Sequence, residues 1–132
     1  MNKHIERMLN QKTAMVGSVA DDKPCIKAML VARREGSAIF YFDSNHGSQR
    51  VAHWRQNPAA CLYFTSGPIY RGVMLTGTME IIDDMETKKI HWTPMMKNIY
   101  RGGITDPDYC ILKFTATSGR YYHMYESTNF DL

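Results

Sequence analysis

Apolar and polar positions alternate most cleanly over residues 72–82, where Val73, Leu75, Met79 and Ile81 are interleaved with Thr76, Thr78 and Glu80. A period of two puts alternate side chains on opposite faces, so this segment predicts a strand with one wet face. It is long for a strand, and Gly77 in its middle predicts a bend or bulge. The same alternation recurs at Cys110, Leu112, Phe114 and Ala116, broken by Lys113, Thr115 and Thr117. Shorter apolar runs predict strands at 14–20, within 25–33, at 37–42, at 60–65 and at 120–125. Turn chemistry separates them at Asp21-Asp22-Lys23-Pro24, Glu35-Gly36, Ser66-Gly67-Pro68, Asp106-Pro107-Asp108 and Ser118-Gly119. Connections this short favour antiparallel neighbours, because parallel pairing needs a longer crossover.

Three segments carry helical spacing instead. Ile5, Met8 and Leu9 share one face and predict a short amphipathic helix over 3–11. Val51 and Trp54 do the same over 48–57, where Pro58 stops the helix. Asp83-Asp84 is placed to cap a helix over 85–92, with Thr93-Pro94 interrupting it and a second piece running from Met95 to Arg101. The sum is one domain over 1–132, mainly β, with about seven strands and two or three inserted helices. Periodicity leaves barrel and sandwich both open.

Composition narrows the function classes. The hydrophobic fraction is 44% and the charged fraction 22%, ordinary for a globular chain of 132 residues. A net charge of +3, scattered between acids and bases, demands neither nucleic acid nor an anionic membrane, yet suits a small anionic ligand. Cys25, Cys61 and Cys110 lie far apart in apolar runs without a C-x-x-C, which predicts buried reduced thiols. No apolar stretch is long enough for a helical membrane span, and the first residues lack the apolar region of a secretion signal. The expectation is a soluble, cytoplasmic protein. No nucleophile motif, phosphate loop or dinucleotide fingerprint occurs, and His4, His46, His53, His91 and His123 lack metal-ligand spacing. Neither a metal site nor a catalytic residue can be named.

The informative stretch is Phe42-Asp43-Ser44-Asn45-His46-Gly47-Ser48-Gln49-Arg50. Hydroxyls, a glycine and a guanidinium gather where the strongly apolar run Ala38–Phe42 gives way to a predicted helix. A helix start leaves N–H groups unpaired and carries partial positive charge, which favours a phosphate. The ordinary alternative is that Ser44 or Asn45 caps the helix. Local chemistry leaves both open.

The surroundings shift the balance. Lys27-x-Met29-Leu30 precedes an aromatic strand, followed by Ser44-x-x-Gly47-Ser48-x-Arg50, Asn57-Pro58, and Tyr70-Arg71-Gly72-Val73 with Gly77 and Asp83 beyond. This order, from about residue 13 to 125, resembles the pyridoxamine 5'-phosphate oxidase-like family of FMN-binding split barrels, and in particular its general-stress-protein branch. The resemblance implies a six- or seven-stranded antiparallel split barrel that forms a homodimer with FMN at the subunit interface. It implies that the backbone of Lys27, Ala28, Met29 and Leu30 meets the flavin ring edge. It also implies that Asp43, Ser44, Ser48, Gln49 and Arg50 belong to the cofactor site, with Ser44, Ser48 and Arg50 gripping phosphate. Gln49 stands where the family has a basic residue.

Two departures limit what carries over. Gly72 occupies the place of a flavin-contacting Gln in the family's Arg-Gln-Val, and the basic C-terminal extension of the true oxidases is missing. The implied activity is therefore electron transfer through flavin N5 to or from an unidentified small molecule, not oxidation of pyridoxamine phosphate. A flavin-binding stress protein without turnover, acting as sink or sensor, is the alternative. Haem or deazaflavin binding within the same superfamily also stays open, as does a barrel that binds single-stranded nucleic acid, although no RNP-like run is present. Trp92, Tyr100, Tyr121, Tyr122 and Tyr125 suit either flavin stacking or core packing, and the ten methionines suit core filling.

Overall fold

The computed structural model describes residues 1–67 and 70–132. Strands β1 (Thr13–Ala20), β2 (Lys23–Leu30), β3 (Arg33–Glu35), β4 (Ile39–Asn45), β5 (Ala59–Ser66), β6 (Arg71–Ile82), β7 (Tyr109–His123) and β8 (Glu126–Phe130) form one antiparallel sheet. Helices α1 (Lys3–Leu9), α2 (Gln49–Gln56) and α3 (Met85–His91) are short, and two 3-10 turns follow α3 at Pro94–Asn98 and Gly103–Thr105. The order β2-β1-β5-β6-β7-β4-β3, with β8 also paired to β7, leaves β2 and β3 as unjoined edges. The sheet thus curls into an open, split barrel, with eight strands among the described residues rather than six or seven.

The inner face carries the core, where Phe40 packs against Phe64 and Phe114 at centroid distances of 5.6 and 6.4 Å. The apolar faces predicted on the first two helices bury as expected, Ile5, Met8 and Leu9 from α1 and Val51 and Trp54 from α2. A second cluster of Tyr41, Tyr100, Tyr109 and Ile111 lies under the segment after α3. Gly77 marks the predicted irregularity, because the β6–β7 register shifts between Thr76 and Gly77.

Several expectations are corrected. The β1–β2 turn is Asp21-Asp22 alone, both left-handed with φ of 51° and 62°, the geometry of a two-residue hairpin. Lys23 and Pro24 already belong to β2, and Pro24 is tolerated there because β2 is an edge strand. Strand β4 does not stop at Phe42. Asp43, Ser44 and Asn45 continue it, paired with Ile111, Cys110 and Tyr109. Ser118-Gly119 does not reverse the chain either. The strand runs on to His123, and a turn at Met124, with φ of 58°, leads into β8. Gly119 leaves room for the ring of Phe130, whose atoms lie 2.5 Å from where a Cβ would stand. The piece expected over 95–101 is the shorter 3-10 turn at Pro94–Asn98. Of the cysteines only Cys110 is buried, and Cys25 and Cys61 are partly exposed. The turn read at Ser66-Gly67-Pro68 ends outside the described residues.

Candidate functional site

Cross-strand neighbours share a face, and this places the residues of β2. Lys27 lies opposite the buried Val16, whereas Ile26 lies opposite Gly17 on the other face. Lys27 therefore shares the Val16 face of the sheet, exposed but on the side of α2. A cleft of about 810 Å³ opens there, walled by Lys27, Ala28, Met29 and Leu30, with Asp43 and Arg50 across from them and Met96, Ile99 and Tyr100 closing one side. A smaller pocket of about 180 Å³ shares Lys27 and Arg50 with it and adds Gln49 and His53. Six of the nine residues implied by the resemblance thus meet in one cleft, and Gln49 lines its neighbour.

Ser44 and Ser48 are placed differently. Ser44 follows Phe40 and Phe42 on the core-facing side of β4, is only 2% exposed, and its buried Oγ has no partner among the described residues. It lines neither pocket. Ser48, not Ser44 or Asn45, caps α2, its Oγ accepting from the Val51 N–H at 3.2 Å. The turn before it is pinned from two sides. The His46 and Gly47 N–H groups donate to the Asp108 carbonyl and side chain at 2.8 and 2.9 Å, and the His46 ring contacts Asp83 and Arg55. This fixes where α2 begins and hence where Arg50 points. The buried Nε of Arg50 has no described partner.

Asp43 is the acid of the large cleft. The Tyr109 hydroxyl donates to its Oδ1 at 3.0 Å. Burial pushes the Asp43 carboxyl above the usual carboxylate range, opposed by that hydrogen bond and by His91. Tyr100 is pushed up to about 12 by burial, with the Asp43 charge adding to it, and burial moves Tyr109 up further still. Tyr100 packs on Tyr109 at 4.7 Å, and Trp92 meets the same ring edge-on at 5.3 Å. Trp92 and Tyr121 pack in the core clusters, Tyr100 packs there and also lines the cleft, Tyr122 lies 6.4 Å from Tyr63, and Tyr125 is fully exposed. Where Gly72 lacks a side chain, the Tyr63 hydroxyl lies 2.0 Å from the Cβ position. Arg71 lies apart from the cleft, bridging His4 and His123 at 3.0 and 3.2 Å.

Sequence reasoning missed Lys12, which lines the cleft because its carbonyl accepts from the Val31 N–H at 2.8 Å and draws the start of β1 alongside the end of β2. It also missed Tyr109 as the partner of Asp43. Only the β4–β7 register shows that pairing. Among the described residues there is no group of three or more metal-ligating side chains and no helix long and apolar enough to cross a membrane.

An open antiparallel barrel with a cleft between its edge strand and a helix start defines a split-barrel domain. Residues 1–130 match the family model described as pyridoxamine 5'-phosphate oxidase like. The chain belongs to that family. A Clostridium acetobutylicum protein related to general stress protein 26 of B. subtilis is similar at 35% identity and a TM-score of 0.82, over 98% of this chain and 91% of that one. General stress protein 26 of Bacillus anthracis shares 19% identity over 97% of each chain, with a TM-score of 0.76. A NimC/NimA family protein of Clostridium acetobutylicum shares 22% identity over 98% of this chain and 92% of that one, with a TM-score of 0.73. The latter two likenesses concern the fold alone. No curated protein matches the chain.

Proposed function

We propose that the protein is an FMN-dependent oxidoreductase whose flavin lies in the 810 Å³ cleft. The observation that carries this reading is the meeting of Arg50 and Lys27 in one cleft walled by an edge strand. A phosphate there would gain charge-assisted hydrogen bonds from the guanidinium, the strong kind. Among the described residues strand β2 pairs only with β1, so part of the backbone along Lys27–Leu30 has no sheet partner there and is free to meet the polar edge of a flat ring. Such a cleft volume sits within the usual range for small-molecule sites. Bound FMN would supply electron-pair transfer through N5, and the chain would supply binding, orientation and electrostatics. Arg50 and the first turn of α2 would hold the phosphate, with Lys27 adding positive charge beside it. Ser44 and Ser48 fall outside this grip, one turned to the core and the other engaged as the cap.

The visible spectrum of the purified protein tests the reading. Flavin bands, or micromolar uptake of added FMN, are expected, and their absence would sink it. Stopped-flow reduction by NADH or NADPH then separates an oxidoreductase from a flavin store. Arg50→Ala should weaken FMN binding by about 1.5–3 kcal/mol, the range for a charge-assisted hydrogen bond. Fluorescence quenching measures this directly, and an unchanged dissociation constant would remove Arg50 from the site.

The homodimer belongs to the same proposal. On the outer face of β1, β2 and β5, Ile26 is 68% and Leu30 74% exposed, beside an apolar groove of about 460 Å³ lined by Gly17, Val19, Ile26 and Cys61. A second copy seated there would cover these side chains. Leu30 also lines the flavin cleft, so the partner would wall the cofactor. Ile26→Lys should give a monomer by analytical ultracentrifugation and lower FMN affinity. A wild-type monomer, or a variant that stays dimeric, would contradict this arrangement.

A further inference from the structure

We propose that Asp43 is a redox-linked proton carrier, taking a proton from solvent when flavin in the cleft is reduced and releasing it on reoxidation. The inference rests on the flavin reading and deepens it. Asp43 is the one carboxylate lining the cleft among the described residues, and no described base forms an ion pair with it. Its backbone is fixed in β4 opposite Ile111, and Tyr109 holds one of its oxygens.

The groups around Asp43 pull its proton affinity in opposite directions. Lys27 of β2, Arg50 of α2 and Lys12 before β1 are the basic groups that share the cleft with it. The Tyr109 hydroxyl of β7 favours the ionised form, as does His91 of α3. Burial favours the protonated form and is the largest influence. A carboxyl balanced in this way responds to any new charge beside it. Reduction supplies that charge. With flavin bound, reduction by a two-electron donor such as a nicotinamide would bring in an electron pair and one proton and would leave net negative charge in the cleft. That charge raises the affinity of Asp43 for a proton. A solvent proton then forms an O–H bond at the carboxylate, and no further electrons move. On reoxidation that proton returns to solvent or passes to the reduced product.

Potentiometric titration of the FMN-loaded protein, with dithionite as reductant, reads the protons taken up per electron pair from the pH-dependence of the midpoint potential. Wild type should take up about two in a window where Asp43→Asn takes up about one, because a group whose proton affinity differs between states contributes to the linkage. Equal slopes in the two proteins would overturn the proposal while leaving flavin binding intact. Loss of flavin uptake by wild type would instead overturn the flavin reading.

Carbon-13 titration of the ligand-free chain gives a test that needs no flavin. The Asp43 carboxyl should titrate above the ordinary aspartate value, and a value at or below it would also overturn the proposal. Stability provides the same sign. A carboxyl raised in the folded state contributes stability below its unfolded pKa that is lost as pH rises through its folded pKa. Asp43→Asn, which keeps the acceptor for Tyr109, should therefore melt higher than wild type at neutral pH and not in acid. The reverse order would count against the assignment.

Discussion

Gly77→Ala is expected to remove most of the stability of the fold. A Cβ at that position would stand 2.0 Å from the Thr115 carbonyl oxygen and 2.8 Å from the Ala116 Cα. Both are backbone atoms of β7, the strand that β6 pairs along its whole length. A flexible side chain would swing aside, but a strand cannot move without breaking its ladder. The register shift at Thr76/Gly77 coincides with this crowding, and glycine permits the close approach of the β7 backbone. Clashes of this kind belong to the exceptional tail of point substitutions, above about 4 kcal/mol, against a total of roughly 5–15 kcal/mol. The urea midpoint should collapse, or the variant should fail to appear in the soluble fraction. A midpoint close to wild type would show that the β6–β7 approach is looser than described. Gly36 provides the contrast, because nothing lies within 4 Å of its Cβ position and only its φ of +60° resists substitution. Alanine there should cost about 1–2 kcal/mol.

Phe40→Ala is the second large effect. Phe40 is fully buried, and its ring touches those of Phe64 and Phe114. Truncation removes the contacts of the ring on both sides and leaves a cavity that a strand-built core collapses into only in part. The expected loss is about 3–5 kcal/mol, measured as a fall in urea midpoint at unchanged slope. Phe40 is also on the strand that carries Asp43. If the loss stays near 1 kcal/mol, the core is more plastic than this packing implies.

The alternation over 72–82 revealed β6 and its irregularity because both are local properties. Turn chemistry misled where a residue had a long-range purpose. Gly119 reads as a reversal, yet its missing side chain makes room for Phe130, which lies eleven residues on and across a hairpin. Asp43-Ser44-Asn45 reads as loop because its side chains are polar, yet pairing with β7 holds it in a strand. The same gap shapes the candidate site. Lys27–Leu30, Asp43 and Arg50 were legible through the order of motifs along the chain. Lys12 and the Tyr109–Asp43 contact depend on which residues the registers bring side by side. Ser48 shows the limit of local reasoning in another way, because the helix starts later than the polar run suggests, and the cap moves with it.

The edge strand also has a bearing on solubility. An unpaired strand edge is a template onto which another chain can add its own strand and start aggregation. Pro24, which offers no N–H, guards one end of β2. The stretch Lys27–Leu30 has no such guard, because a proline there would remove the groups that make it useful for binding. The proposed cofactor and partner would therefore act as a shield, and the chain without them should be the form that aggregates first on storage or heating.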